Sequence, residues 1–136
     1  MTAALYLDTS AVLRATLEAD ASPEIERSIN ESRHLVTSRL SLVESARAFL
    51  RLRALGEVPE TALADAENSV HSVWRRCEII ELSAAVCEIA ERVAPGVVLR
   101  ALDALHLASF LVARRQIEDL TLLTTDRRLL AAIDGL

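Results

Sequence analysis

Four acidic residues stand where carboxylates are expected to do chemistry. Asp8 directly follows an apolar run, and Asp126 follows another in the last part of the sequence. Glu44 and Asp103 lie in segments that are otherwise mostly apolar, where an ionised carboxylate without a partner is costly. Two carboxylates about 5 Å apart repel by roughly 3 kcal/mol at an effective dielectric near 20, so a converging cluster needs cations. Because oxygen ligands favour hard ions, the four acids predict a site for Mg²⁺ or Mn²⁺.

Two of these acids also have an ordinary interpretation when each is considered alone. Glu44 could pair with Arg47 or Arg51 on the same face of a helix. Asp103 could occupy the first turn of a helix, where the helix dipole favours a negative charge. The metal-site hypothesis therefore depends on all four acids meeting at one place.

The elements that must position these acids alternate between short apolar runs and longer helical segments. The predicted strands cover residues 3–7, 34–37, 77–82 and 120–124. The predicted helices cover residues 9 or 10 to 18, 22–32, 39–55, 59–75, 83–95, 100–116 and 126–133. Capping side chains are expected from Thr9 or Ser10, from Ser22 and from Ser83, and Gly56 is expected to end the third helix.

Strands that alternate with helices indicate right-handed crossovers and a parallel sheet with helices on both faces. The expected fold class is therefore α/β, with a short central sheet of four strands, or five if a further strand follows the last helix. The 136 residues are enough for one domain, predicted to span 1–136. Ligands of such sheets bind outside the carboxyl ends of the strands, which is where Asp8 and Asp126 are placed.

Charge and hydropathy limit the partners. The formal net charge of −5 argues against a nucleic-acid-binding protein, but bound cations would reverse the local field, and all fifteen basic residues are arginines, which suit phosphate. No apolar stretch reaches the roughly 20 residues of a spanning helix. The N-terminus lacks the basic region of a signal peptide. These absences predict a cytoplasmic protein with no membrane partner.

Four short motifs, in order along the whole chain, resemble those of the PIN-domain family. They are LDTSAVL at residues 7–13, SLVESARA at 41–48, LDALHLAS at 102–109 and LLTTDRRL at 122–129. The chain is most similar to the VapC toxins of bacterial toxin–antitoxin pairs. One departure is that the family often has a further short strand after the last helix, which this sequence leaves missing or minimal.

The resemblance implies a metal-dependent ribonuclease that uses Mg²⁺ or Mn²⁺. Asp8 and Asp103 would be the primary metal ligands, and Glu44 and Asp126 would complete the acidic pocket directly or through water. By the same resemblance, hydrogen bonds from two hydroxyl groups would orient carboxylates or metal-bound waters. These hydroxyls belong to Ser10 and Thr124.

The remaining polar candidates have weaker support. Arg127 and Arg128 follow Asp126 and are the best candidates for contacting RNA phosphate, although arginine pairs also occur at solvated helix ends. His106 could be a ligand or a general base, but a hard-ion site prefers oxygen, so a buried supporting role is favoured.

The resemblance further implies a homodimer and a cognate antitoxin. Such antitoxins wrap an amphipathic segment around the toxin, and residues 40–55 and 61–74 could form an apolar groove for it, unless those side chains face the core. The alternatives are a non-catalytic interaction protein that retains the PIN scaffold and, less favoured, a DNA nuclease. Retention of all four acids argues against the first, because an unneutralised cluster only destabilises a fold.

Overall fold

A four-stranded parallel sheet forms the centre of the fold. The computed structural model describes residues 3–18 and 22–136. The strands are β1 (Ala4–Leu7), β2 (His34–Ser38), β3 (Cys77–Ile80) and β4 (Leu120–Leu123). All neighbouring strands are parallel, in the order β3-β2-β1-β4. This confirms the predicted α/β class, and no strand follows the last helix in the described part of the chain.

Seven helices connect and cover these strands within the described ranges. They are α1 (Thr9–Leu17), α2 (Pro23–Glu31), α3 (Arg39–Leu55), α4 (Glu60–Arg76), α5 (Ala84–Ala90), α6 (Ala101–Arg114) and α7 (Arg127–Asp134). None of them combines the length and the apolar character that a membrane-spanning helix needs.

The two faces of the sheet bury different helices, because alternate strand residues point to opposite sides. Leu5 and Leu7 pack with α1 to α4 in a core that also contains Val12, Ile29, Phe49, Val70 and Trp74. Tyr6 and Val36 face the other way and pack with α6 and α7, against Leu107, Phe110 and Leu129. Helices therefore cover both faces, as the alternating pattern predicts.

The strand order changes direction at β1, which lies between β2 and β4. The chain first moves from β1 to β2 and β3 on one side, and then returns to the opposite side with β4. The backbone N–H of Asp8 donates to the carbonyl of Leu123 over 3.0 Å, so the carboxyl ends of β1 and β4 are joined. A switch in strand order of this kind is where open α/β sheets bind their ligands.

Several helix ends differ from the sequence prediction. Neither Thr9 nor Ser10 caps α1: Asp8 occupies the N-cap position without a side-chain cap bond. The Thr9 hydroxyl donates to Glu44, and the Ser10 hydroxyl donates to Asp8. Ser22 is the N-cap residue of α2, but its side chain makes no cap bond. Helix α5 ends at Ala90, well before residue 95, and Ala94 has a left-handed backbone (φ +48°) that a helix cannot continue through.

Candidate functional site

Asp8 lies at the end of β1 and is held by two hydroxyl groups. It is only 5% exposed. Its Oδ2 accepts hydrogen bonds from Ser10 Oγ and Thr124 Oγ1, each over 2.6 Å. The structure therefore brings the predicted orienting residues to this carboxylate, and one of its two oxygens is fixed by them.

Asp126 lies at the same edge but is directed into its own helix. Its Oδ1 accepts a hydrogen bond from the backbone N–H of Arg128 over 2.8 Å, which caps α7. Its own backbone N–H donates to Thr124 Oγ1 over 2.9 Å. Among the described hydrogen bonds, Asp126 is therefore linked to Asp8 through Thr124, and the two carboxylates do not contact each other.

Glu44 reaches the site from the second turn of α3. Its Oε1 accepts a hydrogen bond from Thr9 Oγ1 over 2.7 Å and lies 2.6 Å from His106 Nε2. The suggested pairing with Arg47 or Arg51 is wrong for the described side chains, because the partners of Glu44 come from other helices. Burial alone raises the pKa of Glu44, but the hydrogen bonds from His106 and Thr9 outweigh it and hold that pKa below its ordinary value.

His106 is the residue whose importance sequence reasoning underestimated. It is 2% exposed, and its Nδ1 lies 2.9 Å from the hydroxyl of Tyr6. Its Nε2 contacts Glu44 and is also 3.5 Å from Asp8 Oδ1. The ring therefore lies between two of the predicted acids. The only signal in the sequence is a polar ring one helical turn after Asp103 in an otherwise apolar helix.

Asp103 lies in the first turn of α6, the position that its ordinary interpretation requires. Its side chain is 14% exposed, and the nearest cation is Arg100, whose Nε is 3.7 Å from Oδ2. That oxygen is buried and has no hydrogen-bond partner among the described residues. Since buried carboxylate oxygens are normally satisfied, this one is available for a ligand.

A cavity of about 400 Å³ gives access to two of the four acids. Glu44 and Asp103 line it together with Arg100, Ala101 and Leu102. Arg127 and Arg128 are exposed in the first turn of α7, directly after Asp126. Two carboxylates thus line the cavity. The two exposed arginines lie at the edge of the sheet where Asp126 is found.

The donor set fits a hard divalent ion with an incomplete protein shell. Within residues 3–18 and 22–136, no group of three or more His, Cys, Asp or Glu side chains is close enough together to hold a metal ion, so the four acids do not form one cluster. Mg²⁺ does not require one, because it commonly keeps several waters and binds through one or two carboxylates and substrate phosphates. The unpartnered Oδ2 of Asp103 is an oxygen donor of the required type.

The proposed partner groove is present only in part. A cavity of about 400 Å³ lies between α3 and α4, lined by Leu42, Ser45, His71, Trp74, Arg75 and Ile79. Other apolar residues of these helices, such as Phe49, Leu63 and Val70, are buried in the core. The antitoxin groove and the homodimer stay predictions.

Comparisons with known proteins agree on one family. The family model for the PIN domain matches residues 5–136. Two curated relatives are Ribonuclease VapC45 and Ribonuclease VapC49, from the CDC 1551 / Oshkosh and ATCC 25618 / H37Rv strains of Mycobacterium tuberculosis. Each is 30% identical over 107 residues, which is 79% of this chain and 74% of the relative.

Two solved structures share the fold. PAE2754 from Pyrobaculum aerophilum has a TM-score of 0.65 and 24% identity, with 96% of this chain and 79% of that chain covered. VapBC2 from Rickettsia felis, bound to a DNA fragment from their promoter, has a TM-score of 0.57 and 16% identity, with coverage of 90% and 98%. At these identities the likeness concerns the fold.

Proposed function

The chain belongs to the PIN-domain family, and from this premise we propose that it is a metal-dependent endoribonuclease of the VapC toxin type, inhibited by a cognate antitoxin. The relatives named as ribonucleases support the substrate class. The observation that carries the proposal is the buried, unpartnered Oδ2 of Asp103, in a cavity shared with Glu44. Arg100 Nε approaches this oxygen only to 3.7 Å, and we infer that a metal cation completes its coordination.

We assign the metal, Mg²⁺ or Mn²⁺, to Asp8 and Asp103, with Glu44 and Asp126 completing the acidic pocket directly or through water. When bound, such an ion stabilises charge on a phosphoryl group and lowers the pKa of water to near neutrality. Asp8 and Asp126 are N-cap residues, and Asp103 lies in a first turn. Each of these carboxylates therefore lies beside the positive end of a helix dipole, which favours a negative charge there.

Two hydroxyl groups of the site orient a carboxylate, and two arginines would bind the substrate. Ser10 and Thr124 fix the carboxylate of Asp8, as hydrogen-bonded supports of metal ligands do. Arg127 and Arg128 are exposed next to Asp126 and would contact phosphates of an RNA strand. These contacts position the backbone without reading its sequence.

The partner of this protein is proposed as an antitoxin of the VapB type, and its assembly as a homodimer. A protein of this fold was crystallised as VapBC2, which supports the pairing. The DNA nuclease is less well supported because the relatives are named ribonucleases, and the non-catalytic scaffold because all four acids are present and Asp8 and Asp126 are linked through Thr124.

Thermal unfolding with and without Mn²⁺ tests the metal site without any assumption about the substrate. A ligand that binds only the folded state at 100 times its Kd stabilises it by about 2.7 kcal/mol. We expect this stabilisation in the wild type and its loss in Asp103→Asn. The matched control is Asp65→Asn, the same change at an exposed position of α4, which should respond like the wild type. Equal responses of all three proteins, or none at all, would contradict the site.

Cleavage of labelled RNA and of DNA of the same sequence tests the reaction. Wild-type protein with Mg²⁺ or Mn²⁺ should cut RNA, and Asp8→Asn and Asp103→Asn should cut at least about 100-fold more slowly. Preferred cutting of DNA would replace the ribonuclease assignment with the DNA nuclease. If both variants cut RNA as fast as the wild type, the mechanism is wrong.

A further inference from the structure

We propose that Tyr6 and His106 form a hydrogen-bonded chain that positions Glu44: the Tyr6 hydroxyl donates to His106 Nδ1, and His106 Nε2–H donates to Glu44 Oε1. Both are positioning residues, since neither is placed against the substrate. The inference deepens the proposed function, because it takes Glu44 as a working carboxylate of the pocket. The hydrogen bonds link Tyr6 of β1 to Glu44 of α3 through His106 of α6.

The contacts are short and enclosed. The phenol oxygen of Tyr6 is 2.9 Å from Nδ1, and Nε2 is 2.6 Å from Glu44 Oε1. Tyr6 is 0% exposed and His106 is 2% exposed, so water does not compete for these bonds. Tyr6 also packs edge-on against the rings of His106 and Phe110, with ring centroids 6.1 Å and 6.0 Å away.

The direction of the bonds follows from the donors and acceptors that each group carries. The Tyr6 phenol has one O–H that it can donate. A carboxylate oxygen such as Glu44 Oε1 can only accept. A contact of 2.6 Å to an ionised carboxylate requires the proton on Nε2. In a neutral ring, Nδ1 is then the acceptor for Tyr6.

The consequence for Glu44 is a fixed orientation. Its Oε1 receives hydrogen bonds from Thr9 and from His106, and none to Oε2 is present among the described side chains. The same Nε2 lies 3.5 Å from Asp8 Oδ1. The ring therefore holds one oxygen of Glu44 at a defined distance from Asp8 and leaves the other for the cavity. Without the Tyr6 donor, the imidazole could move its proton to Nδ1 and lose its bond to Glu44.

Nitrogen-15 NMR of the metal-free protein tests the chain directly, because it reports which ring nitrogen carries the proton. His106→Gln identifies the His106 signals among those of the three histidines. We expect a single Nε2–H tautomer in the wild type and a population of the Nδ1–H tautomer in Tyr6→Phe. A wild-type ring with Nδ1–H, a doubly protonated ring, or an unchanged tautomer in Tyr6→Phe would overturn the proposal.

Metal affinity and kinetics give a second readout. Tyr6→Phe should lower the affinity for Mn²⁺ or kcat by about 10- to 100-fold, with little change in KM for RNA. His106→Gln can place an amide donor near the Nε2 position, so it should retain more metal affinity and activity than His106→Ala. Phe110→Leu is the matched control: it loosens packing around Tyr6 without removing a hydrogen bond, and it should lower the melting temperature but leave tautomer, affinity and kcat unchanged.

The two proposals fail in different ways. If the wild type cuts no RNA, the proposed function fails, while the tautomer and the Mn²⁺ titration still decide the positioning chain. If the wild type cuts RNA and Tyr6→Phe matches it in tautomer, metal affinity and kcat, the chain is wrong and the function stands. Equal losses in His106→Gln, His106→Ala and Phe110→Leu would mean that the ring only packs, and would also overturn it.

Discussion

Thr124 illustrates how one hydroxyl group can support a charged site. It donates to Asp8 Oδ2 over 2.6 Å and accepts from the backbone N–H of Asp126 over 2.9 Å. Thr124→Val keeps the shape of the side chain and removes both bonds. We expect the affinity for Mn²⁺ to fall by about 10- to 100-fold, the usual effect of losing such a support, as measured by isothermal titration calorimetry.

The control for this variant lies on the same strand. Thr121 is exposed, so Thr121→Val makes the same chemical change away from the site and should bind Mn²⁺ like the wild type. Thr124→Ser retains the hydroxyl group and should restore most of the affinity. Equal affinity in Thr124→Val and Thr121→Val would show that the hydrogen bond to Asp8 has no part in metal binding.

At the residue scale, sequence reasoning found the polar groups but not all their partners. Asp8, Ser10 and Thr124 were expected together, and their hydrogen bonds are present in the structure. The partner of His106 could not be foreseen, because Tyr6 is 100 positions away in the sequence and looks like a core residue of a buried strand. Nothing in the local pattern says which way a buried ring will face.

At the scale of the elements, the end of α3 requires a residue that tolerates a left-handed backbone. Gly56 is its C-cap, in a left-handed conformation with φ of +66°. An L-residue with a Cβ pays roughly 1–2 kcal/mol for that conformation, so Gly56→Ala should lower the free energy of unfolding by about that amount in urea titrations. RNA cleavage should not change, since this end of α3 is far along the helix from Glu44.

The matched control for this change is Gly96→Ala. Gly96 has no positive φ, and an added Cβ would meet no atom within 4 Å. Its replacement should change the free energy of unfolding by less than about 0.5 kcal/mol. If both glycine variants lose the same stability, the left-handed conformation is not the cause.

Element order was predictable because periodicity and caps are local signals. The four strands and seven helices occur in the predicted order, and the prediction for α3 matches at both ends. The errors arose where tertiary contacts decide. The hydroxyl groups of Thr9 and Ser10 look like helix caps in sequence, but they bond to Glu44 and Asp8. Pro95 and Gly96 mark a stop in the sequence, but α5 already ends at Ala90, before the left-handed turn at Ala94.

At the scale of the whole molecule, the reactivity of two cysteines can be used to follow unfolding. Cys87 is exposed, whereas burial raises the pKa of the Cys77 thiol from 9.0 to about 12. Since the thiolate is the reactive form, Cys77 should be alkylated about a thousandfold more slowly than a free thiol. Linkage has a definite sign: the unfolded chain ionises first, so raising the pH from 9.0 towards 12 destabilises the fold.

The measurement is mass spectrometry after timed iodoacetamide treatment of the native and the urea-unfolded protein. Cys87 should react at once in both states, and Cys77 should react about a thousandfold more slowly in the native protein than in the unfolded chain. The variant Cys87→Ser leaves a single thiol and makes the slow phase visible alone. A rapid native reaction at Cys77 would contradict the assigned burial.

The overall charge of −5 makes RNA binding depend on a few exposed arginines. In the Asp8→Asn background, which should bind without cutting, Arg127→Gln and Arg128→Gln should each weaken RNA binding and lower the slope of log K against log salt by about 1. Fluorescence anisotropy over a range of salt concentrations measures both. Arg115 is the C-cap residue of α6, at the end of that helix opposite to Asp103. Arg115→Gln is therefore the control and should leave the slope unchanged.

The hydrogen bond between Asp8 and Thr124 spans 116 positions of sequence and joins β1 to β4. During synthesis at about 5–20 residues per second, the ribosome therefore makes Asp8 roughly ten seconds before the strand that completes its surroundings. A nascent chain that carries α1 to α5 has Asp8 and Glu44 but lacks Asp103, His106 and Thr124. The acidic site cannot assemble on an unfinished polypeptide, so the act of translation itself delays the onset of any nuclease activity.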